Sequence, residues 1–315
     1  MFRIGTVNID TSHAPAFADL FRKGDTARYT SVYNDGFRTD DEVRAFMEKY
    51  GLEARYDSLD EMAKNVDLAF IQSCNWDRHI EMAMPFIRAG VPVFIDKPIA
   101  GNLKDCKTLE RLSDEGAVIL GTSAMRYTYE RDSFFAVPEE QHGRILHVST
   151  MVGVDEFNYA IHSVESILGF LKGEEAVSCR HIGSGLVGDV PCDSFYVRFA
   201  GGATACYHIC LKGWQPSTVL VMTEKTSFAY KLDVNKLYEA MLRHVCAWLE
   251  KKPNDLVPVR DMTMAVKIML AGKKSKANGG TEEQLADLTE SDPCFDGYAF
   301  EQFYAEQQHP KKENK

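Results

Sequence analysis

Four stretches of this chain carry side chains that could do chemistry. VPVFIDKPIAGN (91–102) places Asp96, Lys97 and Pro98 at the end of an apolar run. If that run is a buried strand, Lys97 stands at its C-terminal mouth, where an ammonium can polarise a hydroxyl; a solvated loop lysine is the alternative. The run Val7-Asn8-Ile9-Asp10-Thr11-Ser12-His13 holds no glycine. A pyrophosphate-binding turn needs glycines there, so that backbone N–H groups at a helix N-terminus can close on the phosphates. Asp10 adds charge of the wrong sign: a carboxylate within about 4 Å of a phosphate costs on the order of 4 kcal/mol at an effective dielectric near 20. Asp10 or Thr11 reads equally well as a helix N-cap. Asn34-Asp35-Gly36 is either a turn or the end of a strand that offers an acid to a ribose. Cys206, His208 and Cys210 alternate along one strand face. Positions i and i+4 lie about 13 Å apart while Zn–S bonds are about 2.3 Å, so one metal cannot take all three, and no metal site is assigned.

The elements that must position these residues follow from the pattern around them. FRIGTV (2–7), YTSVYN (29–34), VDLAFIQ (66–72), VPVFID (91–96) and AVILGT (117–122) read as strands. APAFADLFRKG (14–24), TDDEVRAFMEKYG (39–51), HIEMAMPFIRAG (79–90) and LKDCKTLERLSDEG (103–116) read as helices, with a start at Thr39, a stop at Gly51 and a kink near Pro85. The alternation predicts an α/β unit with a doubly wound parallel sheet, whose ligands bind beyond the C-terminal strand ends. After residue 122 the pattern changes. A strand, GRILHVSTM (143–151), and a helix, YAIHSVESILGFLKG (159–173), precede FYVRF, TACYHICL, STVLVM and TSFAYKL, which read as an antiparallel meander. A helix over 235–252 follows, and the polar EQQHPKKENK is expected to fray. The division is a Rossmann domain over 1–122 and an α+β domain with an open, mainly antiparallel sheet over 123–315.

Composition narrows the partners. With 315 residues, 36 Lys+Arg and 46 Asp+Glu, the net charge is 36 − 46 = −10, which argues against nucleic acid or an anionic membrane. No run of 18 apolar residues exists to span a bilayer, and the N-terminus has no signal-type apolar region. Eight cysteines without a CxxC pair read as reduced thiols. A cytoplasmic protein with a small-molecule partner is expected.

GVPVFIDKPIAGNLKDCKTLERLSDEGAVILGTSAMRY resembles the glucose–fructose oxidoreductase / inositol dehydrogenase / MocA-like (Gfo/Idh/MocA) family around its Glu-Lys-Pro motif, with Asp96 in place of Glu. CNWDRHIEMAMPFIRAG (74–90), with His79, is similar to the family's preceding loop and helix. NYAIHSVESILGFL (158–171) is similar to its catalytic helix, where Asp, Gly, His and Asp stand at Asn158, Ala160, His162 and Glu165. The likeness implies an NAD-binding Rossmann domain (NADP possible), with Asp35 favouring NAD and Arg38 arguing the other way. It implies cofactor contacts at Asn8, Asp10, Thr11, Ser12, His13, Asn34, Asp35, Asn75, Trp76, His79, Asp96 and Lys97. A sugar or polyol would meet Lys97, Arg126, Tyr159 and His162. Lys97 would polarise the reacting hydroxyl, His162 would be general base and Asn158 would orient the substrate. Arg126 reads equally as half of an interdomain salt bridge, and Trp76 as a cap on its strand. A homodimer or homotetramer through the second sheet is implied too.

Three departures from the family stand out: the lost glycine loop, Asn158 for Asp, and a connection of about seven residues before the catalytic helix where the family has a longer loop. Asp155 is a candidate to supply the missing charge. An NAD(P)-dependent oxidoreductase is the leading expectation. A redox-neutral elimination that recycles NADH, and a cofactor-free sensor or scaffold, are the alternatives.

Overall fold

The computed structural model describes residues 1–310. The first unit alternates β1 (Phe2–Val7), α1 (His13–Phe21), β2 (Ala27–Tyr33), α2 (Asp40–Tyr50), β3 (Ala54–Arg55), α3 (Leu59–Ala63), β4 (Leu68–Ile71), α4 (His79–Arg88), β5 (Val93–Ile95), α5 (Leu103–Asp114) and β6 (Ile119–Gly121). The strands pair in parallel in the order β3-β2-β1-β4-β5-β6. β4 and β5 are apolar at every position and wholly buried, because helices cover both faces. Phe70 and Phe94 stack at 4.4 Å between ring centres, with Phe17 of α1 edge-on to both. α2 begins in a capping box between Thr39 and Glu42 and ends at Gly51, whose φ of 69° favours glycine. α4 is a single helix through Pro85. The chain leaves β1 for β2 on one side and returns to β4 on the other, so the topological switch lies at the β1 and β4 ends.

The second unit holds α6 (Tyr129–Phe135), α7 (Glu139–His142), β7 (Ile145–Gly153), α8 (Ala160–Phe170), β8 (Ala176–Val187), β9 (Val190–Phe199), β10 (Thr204–Cys210), β11 (Thr218–Thr223), β12 (Ser227–Lys231), α9 (Leu237–Leu249), α10 (Val259–Ala277), β13 (Glu283–Gln284) and α11 (Gly297–Gln308). Its sheet runs β12-β11-β7-β10-β9-β8-β13, antiparallel except for the β7–β10 pair. The mainly antiparallel sheet is as expected, but the uninterrupted meander is not, because β7 inserts between β10 and β11. α8 and α10 lie on one face. α10 approaches so closely that a Cβ on Gly272 would stand 2.6 Å from the Tyr207 hydroxyl. On the opposite, outward face of the sheet the half-buried His208 Nδ1 pairs with Ser194 Oγ at 2.8 Å, and Cys192 and Cys210 bring their sulfurs to 3.3 Å.

The chain then returns to the first unit. Phe295 N–H donates to the Gly101 carbonyl, and α11 starts beside Asp77 with Asp296 as its N-cap. Glu306–Gln308 complete α11 where fraying was expected; positions 311–315 of that tail lie outside the described residues.

Candidate active site at the domain junction

Asp96 closes β5 with both oxygens engaged. Oδ1 accepts the Lys97 N–H at 2.7 Å and Oδ2 meets His13 Nδ1 at 2.6 Å, which ties the mouth of β5 to the start of α1. Burial pushes the Asp96 carboxyl up, but His13 and Lys97 outweigh it and hold the group below the usual carboxylate range. The Lys97–Pro98 bond is cis. Lys97 Nζ donates to Asn158 twice, to the backbone oxygen at 3.1 Å and to Oδ1 at 3.0 Å, and lies 5.5 Å from the Tyr159 ring centre. Burial lowers its pKa, with Asp96 and Asp155 pulling the other way.

Asp155 sets the turn into α8. Its Oδ1 accepts the N–H groups of Phe157 and Tyr159 at 2.9 and 2.8 Å, which fixes the backbone that presents Asn158. His162 follows on the first turns of α8, with Nδ1 2.6 Å from Ser123 Oγ. Burial, then Lys97 and His13, push this imidazole well below its ordinary pKa, so it is neutral at pH 7. Among the described residues Nε2 of His162 has no hydrogen-bond partner. Ser123 was not singled out from the sequence. Its signal is position: it is the second residue after β6, at the same strand-end level as Lys97. Tyr238 of α9 also enters, 5.1 Å edge-on to His13.

Several expected contacts are instead spent inside the protein. Arg126 lies under the site and binds Glu165 at 2.5 Å and the Asp261 carbonyl at 3.0 Å, so its guanidinium is closed to a substrate. The pair is a buried salt bridge inside the second unit, since Glu165 lies on α8, and not the interdomain bridge that was the alternative. Trp76 donates Nε1–H to the Phe295 carbonyl at 2.9 Å and packs on Phe157 and Phe300, leaving no face for a nicotinamide. His79 is fully buried against the Ser73 carbonyl, and Asn75, also fully buried, bridges Asp77 N–H and Glu301.

The β1–α1 turn is turned inward likewise. Asn8, at φ 63°, accepts the Asp35 N–H, and Asn34 donates to the Arg38 carbonyl. Thr11 accepts the His13 N–H, while Ser12, rather than Asp10 or Thr11, occupies the helix N-cap. Asp35 is held at 2.6 Å by Arg78 and receives the Tyr33 hydroxyl. Asp10 is fully buried. One oxygen accepts the Cys74 N–H at 3.1 Å and the other has no partner. Burial, with a smaller push from Glu301, raises its pKa to about 6 against the lowering bond from Cys74.

α11 lies over this turn. Glu301 brings a carboxylate oxygen within 4.8 Å of Asp10 and Cys74 ligand atoms, Tyr304 packs on Phe37, Gln308 meets Arg38 and His309 meets Glu42. The helix thus crosses the ends of β4, β1 and β2, and a cavity of about 360 Å³ remains between Thr11, Ser12, Arg38 and Tyr304. A dinucleotide along this edge would need the same ground for its phosphates. At the Lys97 end the side chains suit a nicotinamide and a hydroxylated substrate. At the Asp10 end, with no glycine, a buried carboxylate and α11 overhead, the residues do not fit a pyrophosphate.

Residues 3–123 match the family described as "Oxidoreductase family, NAD-binding Rossmann fold". No curated protein sequence matches the chain. Among solved structures, a probable dehydrogenase from Thermotoga maritima has a TM-score of 0.77 at 18% identity, over 91% of this chain and 100% of that one. A putative myo-inositol dehydrogenase from Sinorhizobium meliloti 1021 gives 0.77 at 16%, over 90% and 100%. A scyllo-inositol dehydrogenase from Lactobacillus casei with bound NAD(H) and scyllo-inositol gives 0.73 at 15%, over 91% and 100%. These likenesses establish the two-domain fold, and residues 3–123 match the Gfo/Idh/MocA oxidoreductase family.

Proposed function

We propose that the chain is an oxidoreductase acting on a hydroxyl of a sugar, polyol or related small molecule, with NAD, or alternatively NADP, as its cofactor. The observation that carries this reading is the meeting of Lys97, at the end of β5, with the segment that enters α8 and carries Asn158 and His162. A substrate hydroxyl placed between Lys97 and His162 exchanges its water contacts for an ammonium donor, which stabilises the developing alkoxide. The proton leaves the hydroxyl oxygen for Nε2 of His162, a neutral imidazole whose Nδ1 is held by Ser123. Asn158 orients Lys97 but bears no charge, and Asp155 supplies the nearby carboxylate that Lys97 feels. Tyr159, 39% exposed and beside Lys97, lies where a substrate ring would rest.

A panel of cyclic polyols and sugars, with NAD and NADP, tests this. Turnover with one member, lost in Lys97→Ala and His162→Ala at unchanged melting temperature, supports the assignment; turnover retained in both variants sinks it. The buried Asp10 and the seated α11 favour a second reading, a cofactor-free polyol-binding protein. Polyol binding by calorimetry with no dinucleotide binding at millimolar NADH would select it.

The boundary at 122/123, a cytoplasmic setting and a homodimer or homotetramer belong to the same proposal. No helix among the described residues is long and apolar enough to cross a membrane. The outward sheet face exposes Met151, Leu220 and Met222, and Trp214 is exposed in a neighbouring turn, which supports self-association there. Light scattering on wild type and Leu220→Glu tests it.

A further inference from the structure

We propose that Asp10, Cys74 and Glu301 form a site for one divalent ion of the zinc class, which fastens α11 onto the first unit. The site stands apart from the chemistry at Lys97 and needs no dinucleotide.

The three side chains come from distant parts of the chain. Asp10 lies in the turn after β1, Cys74 follows β4, and Glu301 stands on α11. Each offers a ligand atom within 4.8 Å of the other two. The start of α11 sets this meeting. A Cβ on Gly297 would collide with Asn75 Oδ1, so the backbone fits only without a side chain, and Gly297 N–H donates to Asp77 Oδ2 at 2.8 Å. Glu301 comes four residues later, one turn along the same helix face. Beside it Phe300 packs on Trp76, with 5.0 Å between ring centres.

The carboxylates are held as metal ligands are. Asp10 Oδ2 accepts the Cys74 N–H at 3.1 Å, and Glu301 Oε2 accepts an Asn75 Nδ2–H at 2.9 Å. A donor thus fixes one oxygen of each carboxylate and orients the group. Asp10 is fully buried and its Oδ1 has no partner, a cost that a cation at this place removes. Gly36 keeps the space beside that oxygen clear, since a Cβ there would collide with it. Cys74 is a buried free thiol. Arg38 is committed to the Asp10 backbone oxygen and Glu42, and Arg78 to Asp35. Among the described residues, then, two carboxylates and a thiol meet with no lysine or arginine paired to them.

A thiolate, two carboxylates and a water make a four-ligand set for zinc, at about 2.3 Å to sulfur and about 2.0–2.2 Å to oxygen. Such bonds set ligand atoms about 3–4 Å apart, which side-chain adjustment reaches from this cluster. The thiolate selects against magnesium and calcium, which take oxygen ligands. Burial, then Asp10 and Glu301, push the Cys74 thiol far above its ordinary range, so it enters the site protonated. Its proton leaves to solvent as the bond between Sγ and the ion forms. The bound ion offsets the negative charge gathered there and joins the ends of β1 and β4 to α11.

Full-length protein stripped with EDTA tests this by titration with Co²⁺ alone and then with Zn²⁺. Wild type is compared with Cys74→Ser, Glu301→Gln and, as a control on an exposed thiol, Cys294→Ser. We expect a thiolate-to-cobalt charge-transfer band in wild type and Cys294→Ser that saturates at about one equivalent and is bleached by Zn²⁺. The band should be absent in Cys74→Ser, and Co²⁺ affinity should fall at least tenfold in Glu301→Gln. Zn²⁺ should slow hydrogen exchange of the 297–308 amides in wild type and not in Glu301→Gln. No band in wild type, a band retained in Cys74→Ser, or an unchanged Co²⁺ midpoint in Glu301→Gln overturns the site. A bound ion that leaves exchange of α11 unchanged in wild type overturns the fastening.

Discussion

Two ends of one sheet edge have met different fates in this chain. At the β5 and β6 end, Lys97 is held by Asn158 and His162 by Ser123. At the β1, β2 and β4 end, Asn8, Asn34, Asp35 and Asn75 each bond to the protein through at least one polar atom. Both ends are rich in polar side chains, so composition does not separate them. What separates them is charge: the first end gathers an ammonium and an imidazole, while the second buries a carboxylate and leaves Asn8 Nδ2, Asn34 Oδ1 and one Asp10 oxygen without partners.

Removing chemistry at the first end has the largest expected effect. Lys97→Ala or His162→Ala should lower turnover of a responsive polyol by about 10²–10⁴-fold while leaving thermal stability nearly unchanged. Equal losses from Asp35→Ala would show that the second end is still in use and would erase the contrast. Arg126→Leu, beneath the first end, leaves Glu165 buried without its partner and should cost about 3–5 kcal/mol of unfolding free energy in urea titrations. A loss of under 1 kcal/mol would mean that Arg126 is free to serve a substrate after all.

The second end should announce itself in acid–base behaviour. Asp10 is raised from 3.8 to about 6 by burial, so the folded chain holds its proton more tightly than the unfolded chain does. Its contribution is fully present below pH 3.8 and fades as pH climbs through about 6, a loss of about 3 kcal/mol. Asp10→Asn should remove this slope and be the more stable protein at pH 8; an unchanged slope would place the titration elsewhere. The imidazole of His162, lowered by burial and then by Lys97 and His13, predicts an acid limb of the rate profile displaced below the usual histidine range. The smallest effect is at the rim: Arg78→Ala, which frees a part-exposed Asp35, should cost about 1 kcal/mol or less.

Much of the first unit was legible because its signals are local. Apolar runs marked β1, β2, β4, β5 and β6, and Thr39 and Gly51 bracketed α2. β3, two residues long, gave no run to detect. In the second unit the insertion of β7 between β10 and β11 is a pairing over long sequence distance, which turn residues do not encode. β8 carries glycines and polar residues through 183–185 and did not read as a strand, although β9 covers its whole length. α10 packs on several sides and shows no clean apolar stripe. α11 read as a fraying tail because its seat depends on Gly101, Trp76 and Asn75, far away in sequence. In the candidate site, motif spacing found Lys97, Asn158 and His162, but it could not tell that Arg126, Trp76 and His79 face inward. That distinction is set by partners such as Glu165 and Phe295, which no local pattern names.

Phe157 sits one residue before Asn158 and against both Trp76 and Phe295, so three distant parts of the chain share one aromatic stack. The stack joins the loop that presents Asn158 to the residues that seat α11, so a ligand at Lys97 and the seating of α11 bear on each other. Whatever factor a bound polyol applies to α11 docking through Phe157, a docked α11 must apply to polyol affinity in return.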